Sequence, residues 1–88
     1  MKTYLVLYES IFQEDASLVN AIKSFERWAY PIKGAWLIRT YFDRQSVYDR
    51  LKNSSAFVTK LIVIRVTNDW ISYNLTADVI QWMQQGLE

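Results

Sequence analysis

Eighty-eight residues, 51% of them hydrophobic and 22% charged, with a net charge of +1, make an ordinary globular chain at the short end of domain sizes. This composition excludes a disordered polyelectrolyte and predicts one domain over residues 1–88, of which residues 67–88 form an extension. With no Cys and no His, the chain has no disulfides, thiolate zinc sites, thiol nucleophiles or histidine-based acids, bases and metal ligands, which removes most hydrolase designs.

Met1-Lys2-Thr3 leads into a short apolar segment without a small-residue cleavage site, and no run approaches the roughly 18 apolar residues of a membrane span. The expectation is a soluble, cytoplasmic protein with no membrane partner. Residues 3–10 (TYLVLYES), rich in aromatic and branched side chains, predict a first strand. Asp15 is placed to cap a helix reaching residue 25, with Leu18, Ala21, Ile22 and Phe25 recurring at helical spacing. In WAYPIKGAWLIRT (residues 28–40), Gly34 supplies the positive φ of a tight turn, which predicts a β-hairpin. Pro31 cannot donate to a ladder, so the first arm belongs at a sheet edge and residues 35–40 inside. Asp43 caps a short helix over residues 44–52 with Val47, Tyr48 and Leu51 on one side, and Asn53-Ser54-Ser55 ends it. VTKLIVIRV (residues 58–66) is the strongest strand in the chain. The tail begins with a polar turn and ends in a helix capped by Thr76 that presents Val79, Ile80, Met83 and Leu87.

The order is βαββαβ plus a C-terminal helical extension, an α+β, ferredoxin-like arrangement with the first and third strands central. Side chains alternate along a strand. Leu5 and Leu7 therefore oppose Tyr4, Val6 and Tyr8, Leu37 opposes Trp36 and Ile38, and Leu61 and Val63 oppose Ile62 and Ile64. Two helices cover one face of such a sheet, so the second requires the tail, a partner chain or a stacked ligand. The side bearing Tyr4, Val6, Tyr8, Trp36 and Ile38 is read as that partner-binding face. Arg39 and Arg65 are placed on inner strands, on the side of Leu37 and Val63, with Glu9 as their plainest partner. Trp70, Tyr73 and Trp82 are read as docking the tail on the sheet or in a partner's groove.

Charge is uneven. Residues 23–65 hold nine of the ten Lys and Arg against three acids, and the remainder of the chain is acidic. Lys33, Arg39, Arg44, Arg50 and Lys52 are the candidate nucleic-acid contacts; the plainer alternative is solvated charge spread over several faces. An RNA-recognition motif shares the βαββαβ order, but its inner-strand signature finds only Lys33-Gly34 and Ile38 in place, with no stacking ring at Ala35, Leu37 or Thr40.

A wider resemblance is carried by Met1-Lys2-Thr3-Tyr4-Leu5-Val6 opening into Tyr8, Ala21-Ile22-Lys23-Ser24-Phe25, Trp28-Ala29-Tyr30, Ala35-Trp36-Leu37-Ile38-Arg39-Thr40, Tyr48-Asp49-Arg50-Leu51-Lys52, Lys60-Leu61-Ile62-Val63-Ile64, Asp69-Trp70 and Ile80-Gln81-Trp82-Met83. Together these resemble the small bacterial and phage proteins related to CRISPR-associated protein 2, also labelled SinR-like. The resemblance implies a ferredoxin-like homodimer with facing sheets. It further implies that, in nuclease members, an Asp following Tyr at the end of the first strand binds metal, one from each subunit. This chain has Tyr8-Glu9-Ser10 there, which makes Glu9 the candidate catalytic and Mg²⁺-binding residue, although its extra methylene displaces the carboxylate. The alternative is a solvated strand-end carboxylate and no cofactor. Three functions are carried forward. The leading one is a non-catalytic homodimeric interaction protein with weak contact to nucleic-acid backbone. The others are a divalent-metal nuclease using Glu9, and a phage or mobile-element protein that binds and inhibits a host defence component.

Overall fold

The computed structural model describes every residue except Gln13 and residues 86–88. Its elements are β1 (Lys2–Ser10), α1 (Ala16–Lys23), β2 (Arg27–Ile32), β3 (Ala35–Thr40), α2 (Arg44–Ser54), β4 (Val58–Val66) and α3 (Ala77–Gln84). Each helix starts at its expected cap: the side chains of Asp15, Asp43 and Thr76 accept from the amides of Leu18, Ser46 and Val79. α1 ends at Lys23, two residues before the apolar stripe does, and Phe25 is buried just beyond it. Of the stripe expected on α3, Leu87 lies outside the described residues.

The sheet is antiparallel throughout, in the order β2-β3-β1-β4. This is the α+β, ferredoxin-like arrangement, with β1 and β3 inside. Gly34, at φ +86°, turns the β2–β3 hairpin. The β2–β3 register shifts between Ala29 and Ile32, the stretch containing Pro31, whose missing N–H is tolerated on this edge strand.

Cross-strand pairing fixes the faces. Tyr4 pairs with Ile38 and Arg65, Leu5 with Leu37 and Ile64, and Val6 with Trp36 and Val63. α1 and α2 lie on the side of Tyr4, Val6, Trp36 and Ile38, which form the core with Leu18, Ile22, Phe25, Val47 and Leu51. Tyr8 is half-buried against the same core. The expected partner face is thus the helix-covered face, and the reading is reversed: the open side carries Leu5, Leu7, Leu37, Ile62 and Ile64. Both faces alternate as apolar, so periodicity could not choose between them. Ring volume and a polar tether favour this arrangement. Tyr4, almost fully buried, donates its hydroxyl to the Phe42 carbonyl at 3.0 Å.

A second correction concerns the arginines. Arg39 pairs in register with Thr3 and Arg27 on the open face, while Arg65 pairs with Tyr4 on the helix side. β4 is an edge strand, and Glu9 meets Lys60 across the ladder at 3.5 Å instead of either arginine.

Candidate interaction surfaces

The chain leaves β4 at Val66 and returns over the open face, where α3 packs against β2. Arg39 holds it there. Only 3% exposed, its guanidinium donates to Thr3 Oγ1 at 3.0 Å and to the Trp82 carbonyl at 2.9 Å, and it lies 4.1 Å from the Trp82 ring centroid. The accepting carbonyl belongs to the last turn of α3, where free carbonyls and the negative end of the helix dipole favour a cation. Burial, and secondarily the neighbouring Arg27, pulls the Arg39 pKa below its ordinary value. Trp82 therefore docks the tail as expected, but Tyr73 does not: it is 93% exposed.

The tail fits the sheet incompletely. A cavity of about 530 Å³ remains between them, lined by Leu5, Leu37, Leu75, Met83 and the half-buried Trp70 among others. No residue of α3 is fully buried. Toward β4 the open face stays in solvent, with Ile62 54% exposed and Ile64 nearly as much, and Ile71, 98% exposed, forms a ridge with Tyr73 at the cavity rim.

The predicted basic residues do not converge on one site. Arg39 is committed to the tail latch and is too buried to meet phosphate, which removes it from the candidate contacts. Arg44, Arg50 and Lys52 are on α2, and Lys33 is at the hairpin turn, with α1 packed between α2 and β2. Arg50 lies over the rings of Phe42 (4.7 Å) and Phe25 (5.3 Å), so part of its role is packing.

At the end of β1, Glu9 is exposed and ion-paired with Lys60. The neighbouring Ser10 hydroxyl donates to Asp15 Oδ2 at 2.9 Å, and Asp15 is buried, also accepting from Ser55 Oγ and the Leu18 amide. Hydrogen bonding from Ser55 first, then from Leu18 and Ser10, holds the Asp15 carboxyl below the usual range against the opposing effect of burial. Within one protomer these groups offer Mg²⁺, which demands near-ideal octahedral oxygen geometry, little beyond the Glu9 carboxylate. Glu9 is engaged by an ammonium, Ser10 and Asp15 are engaged with each other, and among the described residues no three acidic side chains come together.

Sequence reasoning missed one surface. Trp28 and Tyr30, which the sequence reading placed on a hairpin arm, stand on the helix side of β2, near the end of the two-turn α1. The Trp36 ring lies between them, 4.3 Å from Tyr30 in a stack tilted by 29° and 5.8 Å from Trp28. Lys23 Nζ sits 4.9 Å from the Trp28 centroid. A groove of about 830 Å³ runs between the Tyr30 and Trp36 end of this ladder and α1. Alternation of Trp28 and Tyr30 was the available signal; it needed the β2–β3 register to put both beside Trp36.

No described helix is long and apolar enough to cross a membrane. In comparisons with known proteins, the chain matches no family model, no curated protein and no solved structure.

Proposed function

We propose that the protein is a non-catalytic homodimeric interaction protein of the kind related to CRISPR-associated protein 2, and that two copies meet through their open sheet faces. The observation that carries this reading is the half-covered face, where Ile62 and Ile64 are exposed on β4 and Ile71 and Tyr73 stand exposed at the rim of a largely apolar cavity. A ridge next to a hollow on the same face is self-complementary under a two-fold axis, as an isologous contact requires. The βαββαβ order and central β1 and β3 are compatible with the family suggested by the sequence. Light scattering at micromolar concentration, on wild type and on Ile64→Lys, tests it. Contact with nucleic-acid backbone falls to Arg44, Lys52 and Lys33. It is expected to be weak, salt-sensitive and indifferent to sequence.

The host-protein reading has its own observation. Tyr41 and Phe42 are exposed just before α2, and Arg44 and the exposed Tyr48 follow on that helix, a Tyr- and Arg-rich composition typical of interface hot spots. In that reading, capture of a defined host component is lost in Tyr41→Ala and retained in Ile64→Lys.

A further inference from the structure

We propose that the groove between α1 and the β2–β3 hairpin binds a nucleobase carrying phosphate, with the base stacked on Tyr30 and the phosphate drawn to Lys23 and Lys33. The site lies on the opposite side of the sheet from the proposed dimer face and wholly within one protomer, so it does not rest on dimerisation.

The platform is built before any ligand arrives. Tyr30 rests one ring face on Trp36, and its hydroxyl accepts from the Gly34 amide at 2.9 Å, so the ring is pinned at both its face and its tip. It is nevertheless 46% exposed. A rigid aromatic ring offered to solvent loses little conformational entropy when a planar ring stacks on it. Lys23, which lines the groove, brings positive charge over the rings of Trp28 and Trp36. Lys33 lines the groove at the hairpin turn, next to Gly34.

The rest of the groove suits a base edge. Asn20 and Tyr8 line it, and burial, then proximity to Tyr30 and Asp15, raises the Tyr8 pKa, so this phenol stays protonated. The groove volume of about 830 Å³ falls within the roughly 300–1,000 Å³ of small-ligand sites. Two acids also line it. Glu9 is paired with Lys60, whereas Glu14 opposes an anion and so provides an internal test of sign.

The same chemistry is found in a free nucleotide and in a nucleic-acid strand, and the experiment separates them. The probes are AMP, UMP and a (dT)8 oligonucleotide, followed by quenching of tryptophan fluorescence at low salt. AMP or UMP binding as tightly as the oligonucleotide assigns a free nucleotide; a large preference for (dT)8 assigns a strand. In either case Tyr30→Leu, which keeps an apolar cover on Trp36 but removes the stacking face, should weaken binding on the order of tenfold. Lys33→Gln, an exposed turn substitution with little effect on folding, should weaken it and flatten its salt dependence, and Glu14→Gln should tighten it. Absence of quenching by all three probes overturns the proposal. So does (dT)8 binding unmoved by Tyr30→Leu and Lys33→Gln, which would transfer the strand to α2, or weakening by Glu14→Gln.

Discussion

Asp15 shows how one side chain can fasten three segments. Its carboxylate caps α1 through Leu18, receives Ser10 from the end of β1, and receives Ser55 from the start of the α2–β4 connection, 40 residues away. Because its pKa is lowered in the folded state, the stabilisation it provides is fully present above the unfolded carboxylate value near 3.8. It fades as pH falls through the lower folded value. Asp15→Asn, which keeps the shape but weakens three hydrogen bonds, should cost about 1–3 kcal/mol at neutral pH. It should also flatten the stability decline below pH 4, measurable by urea titration across that range. Glu9, six residues earlier, presents the opposite case: exposed and paired with Lys60, it should be dispensable. Wild type and Glu9→Gln, purified identically, are expected to give equal background cleavage of RNA and duplex DNA in Mg²⁺ or Mn²⁺. Metal-dependent turnover that disappears in Glu9→Gln would instead establish the nuclease.

At the scale of elements, the sheet is secured locally and the tail through the contact of Arg39 with Trp82. Arg39 and Trp82 are 43 residues apart, and α3 adds no fully buried side chain of its own. Arg39→Met, which preserves the apolar stem on Leu37's side of the sheet, should release α3 without unfolding the core. In hydrogen exchange, the amides of residues 77–84 should then exchange at least tenfold faster while those of β1 and β3 keep their protection. Equal acceleration throughout would show that the tail is part of the global folding unit. This division also marks what could be read from the chain. The caps at Asp15, Asp43 and Thr76, the turn at Gly34 and the edge position of β2 are local chemistry, and the sequence alone predicted them. The choice of covered face was hidden because Tyr4-Val6 and Leu5-Leu7 alternate equally well. Charge was a partial signal: Glu9, Arg27, Arg39 and Lys60 fall on the side away from the helices, while Lys2 and Arg65 fall on the side of Tyr4. The tail latch joins residues 43 positions apart, and the Trp28–Trp36–Tyr30 ladder depends on the β2–β3 register, which periodicity does not encode.

At the scale of the whole molecule, the question is whether the half-open face is a solvent surface or half of an interface. A stable contact of standard size takes about 800 Å² from each partner, roughly one seventh of the 5883 Å² this protomer exposes. The strip along β4 and the Ile71–Tyr73 ridge are the apolar surfaces positioned to supply it. Two lysine substitutions, one on each face of the sheet, separate interface from core. Val6 is fully buried under the helices, so Val6→Lys places an unpaired ammonium in the core at a cost of several kcal/mol, comparable with the total stability of a small domain, and should unfold the protein. Ile64 is exposed in the protomer, where lysine should change stability by no more than about 0.5 kcal/mol. Across a two-fold contact, the same lysine would be buried without a partner. Light scattering is therefore expected to give twice the 10.5 kDa protomer mass for wild type and the protomer mass for Ile64→Lys, with both chains showing the same far-ultraviolet circular dichroism. Wild type at the protomer mass at micromolar concentration would refute the dimer, and Ile64→Lys at twice that mass would move the interface off this face.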